Sequence, residues 1–137
     1  MLLFVGVVGY SAKKFDVDLA TEYLKDAFTH VSHLVDIYHQ EDIYIVSGYT
    51  NIGIPALAYS LAESFDWKTI GLACKKAFEN DCYPVDKQII VGNNWGDESD
   101  TLINLCDIMI RVGGGPQALK EIKTFKERYP NKLAIEY

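Results

Sequence analysis

Four short stretches pair glycine with side chains able to hydrogen-bond a ligand: Gly9-Tyr10-Ser11-Ala12-Lys13, Ser47-Gly48-Tyr49-Thr50-Asn51-Ile52-Gly53, Gly92-Asn93-Asn94-Trp95-Gly96 and Gly113-Gly114-Gly115-Pro116-Gln117. Glycine lets a backbone approach a ligand closely. Tyr10, Ser11 and Lys13 offer hydroxyls and an ammonium to a phosphate, or Lys13 is simply solvated. Ser47, Gly48, Thr50, Asn51 and Gly53 form the second candidate set, Asn94, Trp95 and Gly96 the third, and Gly113, Gly114, Gly115 and Gln117 the fourth. Asn51 and Asn94 either read polar ligand edges or tolerate tight turns. Trp95, set among polar residues, either stacks on a base or packs within the protein. The second and fourth turns open helices, whose unpaired N–H groups and dipole suit phosphate. Neither a GxGxxG nor a GxxxxGK[ST] pattern occurs, so the ordinary dinucleotide and P-loop fingerprints are missing.

Acidic residues Asp97, Glu98 and Asp100 follow Trp95-Gly96. Asp97 is the candidate for ribose contact or acid/base chemistry; the alternative is capping of the next helix. His30 and His33 have i, i+3 spacing, but no third ligand stands at a suitable distance, and no metal is assigned. Cys106 precedes an apolar run and reads as core rather than nucleophile.

The elements that position these turns alternate between strand-like and helix-like segments to the last residue. Strands are expected at Leu2 to Val8, Ile43 to Val46, Lys68 to Ala73, Gln88 to Val91, Asp107 to Val112 and Lys132 to Ile135. The first helix starts at an Asp16 or Asp18 cap and runs to about His39, with Leu19, Tyr23, Ala27, Val31 and Leu34 on one face. A second begins near Gly53 with Pro55 in its first turn and a stripe of Ile54, Leu57, Ala58, Leu61 and Phe65. A short helix spans Glu98 to Leu105, and a last one opens at Pro116 with Ala118, Ile122, Phe125 and Tyr129 inward. Apolar strands alternating with helices imply an α/β fold: a three-layer, Rossmann-like, doubly wound parallel sheet. The expected strand order is 3-2-1-4-5-6, with the direction of winding reversing at the first strand. Ligands in such sheets sit beyond the carboxyl strand ends at that switch point.

With 137 residues, 49% hydrophobic and 23% charged, the chain reads as a single Rossmann-like domain over 1–137. No apolar run reaches the roughly 18 residues of a membrane span. Met1 to Val8 reads as a strand rather than a signal peptide, because no basic segment precedes it. Net charge is −6, and the basic stretch Lys120, Lys123, Lys126, Arg128 is interleaved with Glu121 and Glu127. That balance disfavours nucleic acid as a partner. Three cysteines without CxxC spacing argue against disulfides and a zinc site, and a cytoplasmic, reducing setting is expected.

The segment Ser47-Gly48-Tyr49-Thr50-Asn51-Ile52-Gly53-Ile54-Pro55-Ala56-Leu57-Ala58 resembles two related patterns. One is the SG-xxx-GID-xx-A segment of Smf/DprA DNA-processing proteins. The other is the GG-xxx-G-[LI]-M segment of the LOG family, cytokinin-type phosphoribohydrolases. Lys68 to Ala73 and Tyr83-Pro84 also look like the first family, and Val112 to Gln117 resembles the PGGxGT turn of the second. From about Val5 to Tyr137 the chain is therefore similar to the SLOG superfamily of Rossmann-like nucleotide-binding domains. The resemblance implies a nucleotide-type ligand at the glycine turns and a homodimer or higher homo-oligomer. The departures limit it. Pro116 and Gln117 occupy the glycine and threonine places, and Lys120 stands where the LOG glutamate belongs, with Glu121 one residue later. The only arginines are Arg111 and Arg128, outside the LOG arginine pattern. Neither phosphoribohydrolase nor DNA-binding activity is carried over. Glu121 remains a candidate catalytic carboxylate, or a surface glutamate beside Lys120 and Lys123. The expected function is binding of a nucleotide or nucleotide-derived small molecule, as sensor or carrier. The alternatives are hydrolysis of an N-glycosidic bond in a nucleoside monophosphate, and a structural or partner-binding module.

Overall fold

The computed structural model describes residues 2–11 and 14–137. Six parallel strands form the middle layer: β1 (Leu3–Gly9), β2 (Ile43–Ser47), β3 (Lys68–Ala73), β4 (Lys87–Ile90), β5 (Ile108–Val112) and β6 (Leu133–Glu136). Four α-helices flank them: α1 (Val17–Leu34), α2 (Gly53–Ser64), α3 (Ser99–Leu105) and α4 (Pro116–Arg128). Alternation along the strands decides which face each side chain serves. Val5, Val7, Ile43, Ile45, Ile108 and Ile110 point toward α1 and α2. Val8, Tyr44, Val46, Leu72 and Met109 point toward α3 and α4. The architecture is a three-layer α/β Rossmann-like sheet.

Its order is β4-β3-β2-β1-β5-β6. The reversal at β1 is as expected, but β4 lies outside β3 rather than next to β1. The link from β3 to β4 contains no α-helix, only a 3-10 turn at Lys75–Glu79. It is also tethered on its own side. Asp86 accepts hydrogen bonds from the Thr69 N–H (2.9 Å) and hydroxyl (3.1 Å), and the Asp86 N–H donates to Thr69 Oγ1 (3.0 Å). The Tyr83 N–H donates to the Tyr49 carbonyl. The chain instead crosses to the far side of β1 through α3, and Asp107 fixes β5 there by accepting the Phe4 N–H at 3.0 Å.

Two helix readings shift. Asp16 caps α1 by accepting the Leu19 N–H, but the helix stops at Leu34, where Val35 turns extended and Asp36 caps a separate 3-10 turn through the Tyr38 N–H. The buried stripe of α1 is Ala20, Leu24, Ala27, Phe28 and Val31. Leu19 and Leu34 are exposed, because the helix is rotated to seat Leu24 and Phe28 on the sheet. In α4, the inward face contains Glu121 alongside Ala118, Ile122 and Phe125. No helix among the described residues is long and apolar enough to cross a membrane.

Candidate functional site

Winding outward in both directions from β1 leaves a gap beyond the carboxyl ends of β1, β2 and β5. The strands that flank it must come close at its floor. A Cβ on Gly9 would stand 2.1 Å from the Val112 carbonyl oxygen, so only glycine fits at the end of β1. After β5, Gly113 has φ +59° and lies against the Tyr10 ring, which would collide with any side chain there. Tyr10 itself stacks on Phe15 at 5.0 Å. The result is a crevice of about 840 Å³. That is the size range of small-molecule sites.

Eleven of the sequence-derived candidates line it: Gly9, Tyr10, Ser11, Ser47, Gly48, Thr50, Trp95, Gly114, Gly115, Gln117 and Glu121. Six others stand back from it, each for a visible reason. Asn51 is turned to Asp81, donating from Nδ2 at 3.1 Å and from its N–H at 2.8 Å. Gly53 lies against the Tyr10 and Ser11 backbone, and Gly113 is under the Tyr10 ring. Asn94 and Gly96 supply N–H groups to Asp97 and Glu98 respectively. Asp97, the catalytic candidate, accepts the Asn93 and Asn94 N–H groups at 3.0 Å each and so closes its own loop. Lys13 lies outside the described residues. A second hollow of about 410 Å³ runs along the outer face of α4 past Lys123, Lys126 and Glu136. No glycine turn reaches it.

The polar end of the crevice is the neighbour of Asp97. Glu98 is 7% exposed and Glu121 is 6% exposed, both facing the crevice. Gln117 bridges them through Nε2, 3.3 Å from Glu98 Oε1 and 3.5 Å from Glu121 Oε2. The Ser99 hydroxyl donates to Glu121 Oε2 at 2.7 Å, and the Gly96 N–H to Glu98 Oε2 at 3.2 Å. Burial pushes the Glu121 carboxyl above its ordinary range; the Ser99 and Gln117 hydrogen bonds oppose this, and the Glu98 charge adds to it. Sequence reasoning chose Asp97 as the candidate and named Glu98 only beside it, whereas Glu98 is the one that faces the crevice. Only the turn geometry decides which carboxylate faces inward. Ser99, Tyr49, Ile52 and Asn80 were not singled out.

The opposite wall is built by the turn after β2. Tyr59, fully buried in α2, accepts the Ser47 N–H at 3.1 Å and lies 2.6, 2.8 and 2.9 Å from the carbonyl oxygens of Ser47, Gly48 and Ile70. Desolvation raises its pKa well above the ordinary value, so the hydroxyl remains a donor. Ser47 Oγ donates to the Val7 carbonyl at 2.6 Å. Its hydroxyl therefore ties β2 to β1. The helix starts at the crevice, α2 and α4, carry no side-chain cap. Trp95, half exposed, and Tyr49 add aromatic surface. Cys106 is buried beneath Gly6, away from the crevice, and burial pushes its thiol far up.

The fold recurs in solved structures. The molybdenum cofactor carrier protein of Chlamydomonas reinhardtii superposes with a TM-score of 0.72 at 18% identity, over 99% of this chain and 76% of that one. The molybdenum cofactor binding protein of the phototrophic bacterium Rippkaea orientalis superposes with a TM-score of 0.75 at 20% identity, over 99% and 76%. This chain has the fold of those carriers. The structural-genomics target TM1055 matches with a TM-score of 0.67 at 18% identity, over 93% of this chain and 70% of that one. No family model and no curated protein matches the sequence. At these identities the likeness establishes the Rossmann-like fold, and function has to be argued from the crevice.

Proposed function

We propose that this chain binds and carries a phosphate-bearing heterocycle of the nucleotide or pterin kind, with a molybdenum cofactor as first candidate cargo. One observation carries the reading: three glycine turns distant in sequence, represented by Gly9, Gly48 and Gly114, meet with Trp95 in one crevice at the switch point. The chemistry of that crevice fits such a cargo. Aromatic surface from Tyr49 and Trp95 suits a flat ring. The hydroxyls of Ser11 and Thr50 suit a phosphate. The carriers that share the fold lend support. The test is anaerobic incubation with cofactor released from a molybdenum enzyme, followed by gel filtration. Molybdenum and pterin eluting with the protein near one per chain are expected; elution of both at small-molecule volume contradicts the proposal.

The buried pair Glu98 and Glu121 favours a second reading, hydrolysis of an N-glycosidic bond in a nucleoside monophosphate. A carboxylate held above its ordinary range can pass a proton to a leaving base, or as carboxylate steady oxocarbenium charge. Chromatography of nucleoside monophosphates after incubation tests it. Base release that survives Glu121→Ala undiminished removes Glu121 from the chemistry.

A further inference from the structure

The groups around the two carboxylates leave an unusual remainder. The Ser99 hydroxyl and the Gly96 N–H each donate to a carboxylate oxygen, and the Gln117 amide NH2 reaches toward both carboxylates. An ionised carboxylate only accepts, so toward that form the amide presents its nitrogen and turns its carbonyl oxygen elsewhere. All these donors are thus committed. Two acceptors are not: Glu121 Oε1 and the Gln117 carbonyl oxygen receive no hydrogen bond among the described residues. Glu121 is more than nine-tenths buried, Gln117 is exposed, and both residues line the crevice. Neither oxygen is sealed from solvent, so each is open to the crevice, and a molecule that displaces solvent there has to supply a donor.

We infer that Glu121 and Gln117 form an acceptor-only wall that selects a 2-amino-4-oxopyrimidine edge, the edge common to guanine nucleotides and pterins. This edge presents a ring N–H and an exocyclic amine side by side, two donors for two acceptors. Adenine presents a donor and an acceptor, and its ring nitrogen would face a lone pair. Hypoxanthine keeps the ring N–H and lacks the amine. A phosphate is repelled by the carboxylates and is left to the turn between Gly48 and Ile52. The inference rests on the carrier reading of the crevice and specifies which ring that crevice accepts.

Titration calorimetry with GMP, IMP, AMP, 2′,3′-dideoxy-GMP and neopterin 3′-monophosphate tests it. GMP or neopterin monophosphate, or both, should bind at least tenfold more tightly than IMP and AMP, since a site built around hydrogen bonds rejects the analogue that lacks them. Whichever of the two binds identifies the source of the edge. Glu121→Gln, checked for folding by circular dichroism, should bring the GMP-to-IMP ratio toward one. Equal affinity for GMP, IMP and AMP overturns the inference and leaves the carrier reading standing if cofactor still co-elutes. IMP equal to GMP with dideoxy-GMP tenfold weaker also overturns it, by assigning the wall to sugar hydroxyls. Absence of binding by every probe, with no co-eluting cofactor, overturns both.

Discussion

Tyr59→Phe deletes a single oxygen from the middle of the protein. That oxygen accepts the Ser47 N–H and lies within 2.9 Å of three carbonyl oxygens, from Ser47, Gly48 and Ile70. One hydroxyl proton serves one carbonyl at a time, so the substitution removes one accepted and one donated hydrogen bond. An N–H left buried without a partner costs about 1–3 kcal/mol, and the net donated bond about 1 kcal/mol. The void left by one atom adds little. A loss of about 2–3 kcal/mol is expected, which corresponds to about 7–10 °C in Tm at the unfolding entropy of a chain this size. Urea unfolding followed by circular dichroism measures it; the midpoint should fall with an unchanged m value. The same oxygen positions the Ser47–Gly48 turn at the crevice wall, so affinity for the ligand should drop about tenfold. A stability loss under about 0.5 kcal/mol with affinity intact would refute the role given to this hydroxyl.

Other substitutions separate stability from binding. Burial holds Glu121 above its ordinary value of 4.5, so the native chain keeps this proton at pH values where the unfolded chain has released it. Stability contributed by that proton is therefore present below 4.5 and is lost as pH rises through the native value; Glu121→Gln should flatten this fall in a Tm series and raise Tm at neutral pH. Trp95→Ala removes a half-exposed ring at the crevice. It should leave Tm nearly unchanged while weakening ligand binding by about 1–3 kcal/mol, the usual worth of ring stacking, read by calorimetry. Gly9→Ala sets a methyl group 2.1 Å from the Val112 carbonyl, where only strand separation gives relief. A loss of about 3 kcal/mol or more is expected by urea unfolding.

The fold was readable in the sequence because its signals are local and repeated. Apolar runs such as Ile43 to Val46 and Ile108 to Val112 are covered on both faces, and glycine or proline marks the ends of several elements. The position of β4 was not readable, because its pairing depends on the Thr69–Asp86 hydrogen bonds and on a link without an α-helix. The face of α1 was read in part: Ala27 and Val31 are buried as expected, but Leu19 and Leu34, which fit the helical period nearly as well as Leu24 and Phe28, are exposed. Only packing against the sheet distinguishes the two. At the site, glycine turns announced themselves by composition. The carboxylates did not: Asp97 and Glu98 are adjacent, and the reversal at Gly96 (φ +101°) turns one into the loop and the other into the crevice. Glu121 stood open between a catalytic carboxylate and a surface residue among lysines; its phase on α4, shared with Ala118 and Phe125, carries it inward.

The most direct test of the account is an amide-resolved nitrogen–proton NMR titration of the protein with GMP or neopterin 3′-monophosphate. Shifts should gather on Gly9, Gly48, Gly114 and Gln117 and on the Trp95 indole, with the outer face of α4 unmoved. Shifts confined to Lys123, Lys126 and their neighbours, with the glycine turns silent, would contradict the claim that the crevice at the switch point holds the ligand.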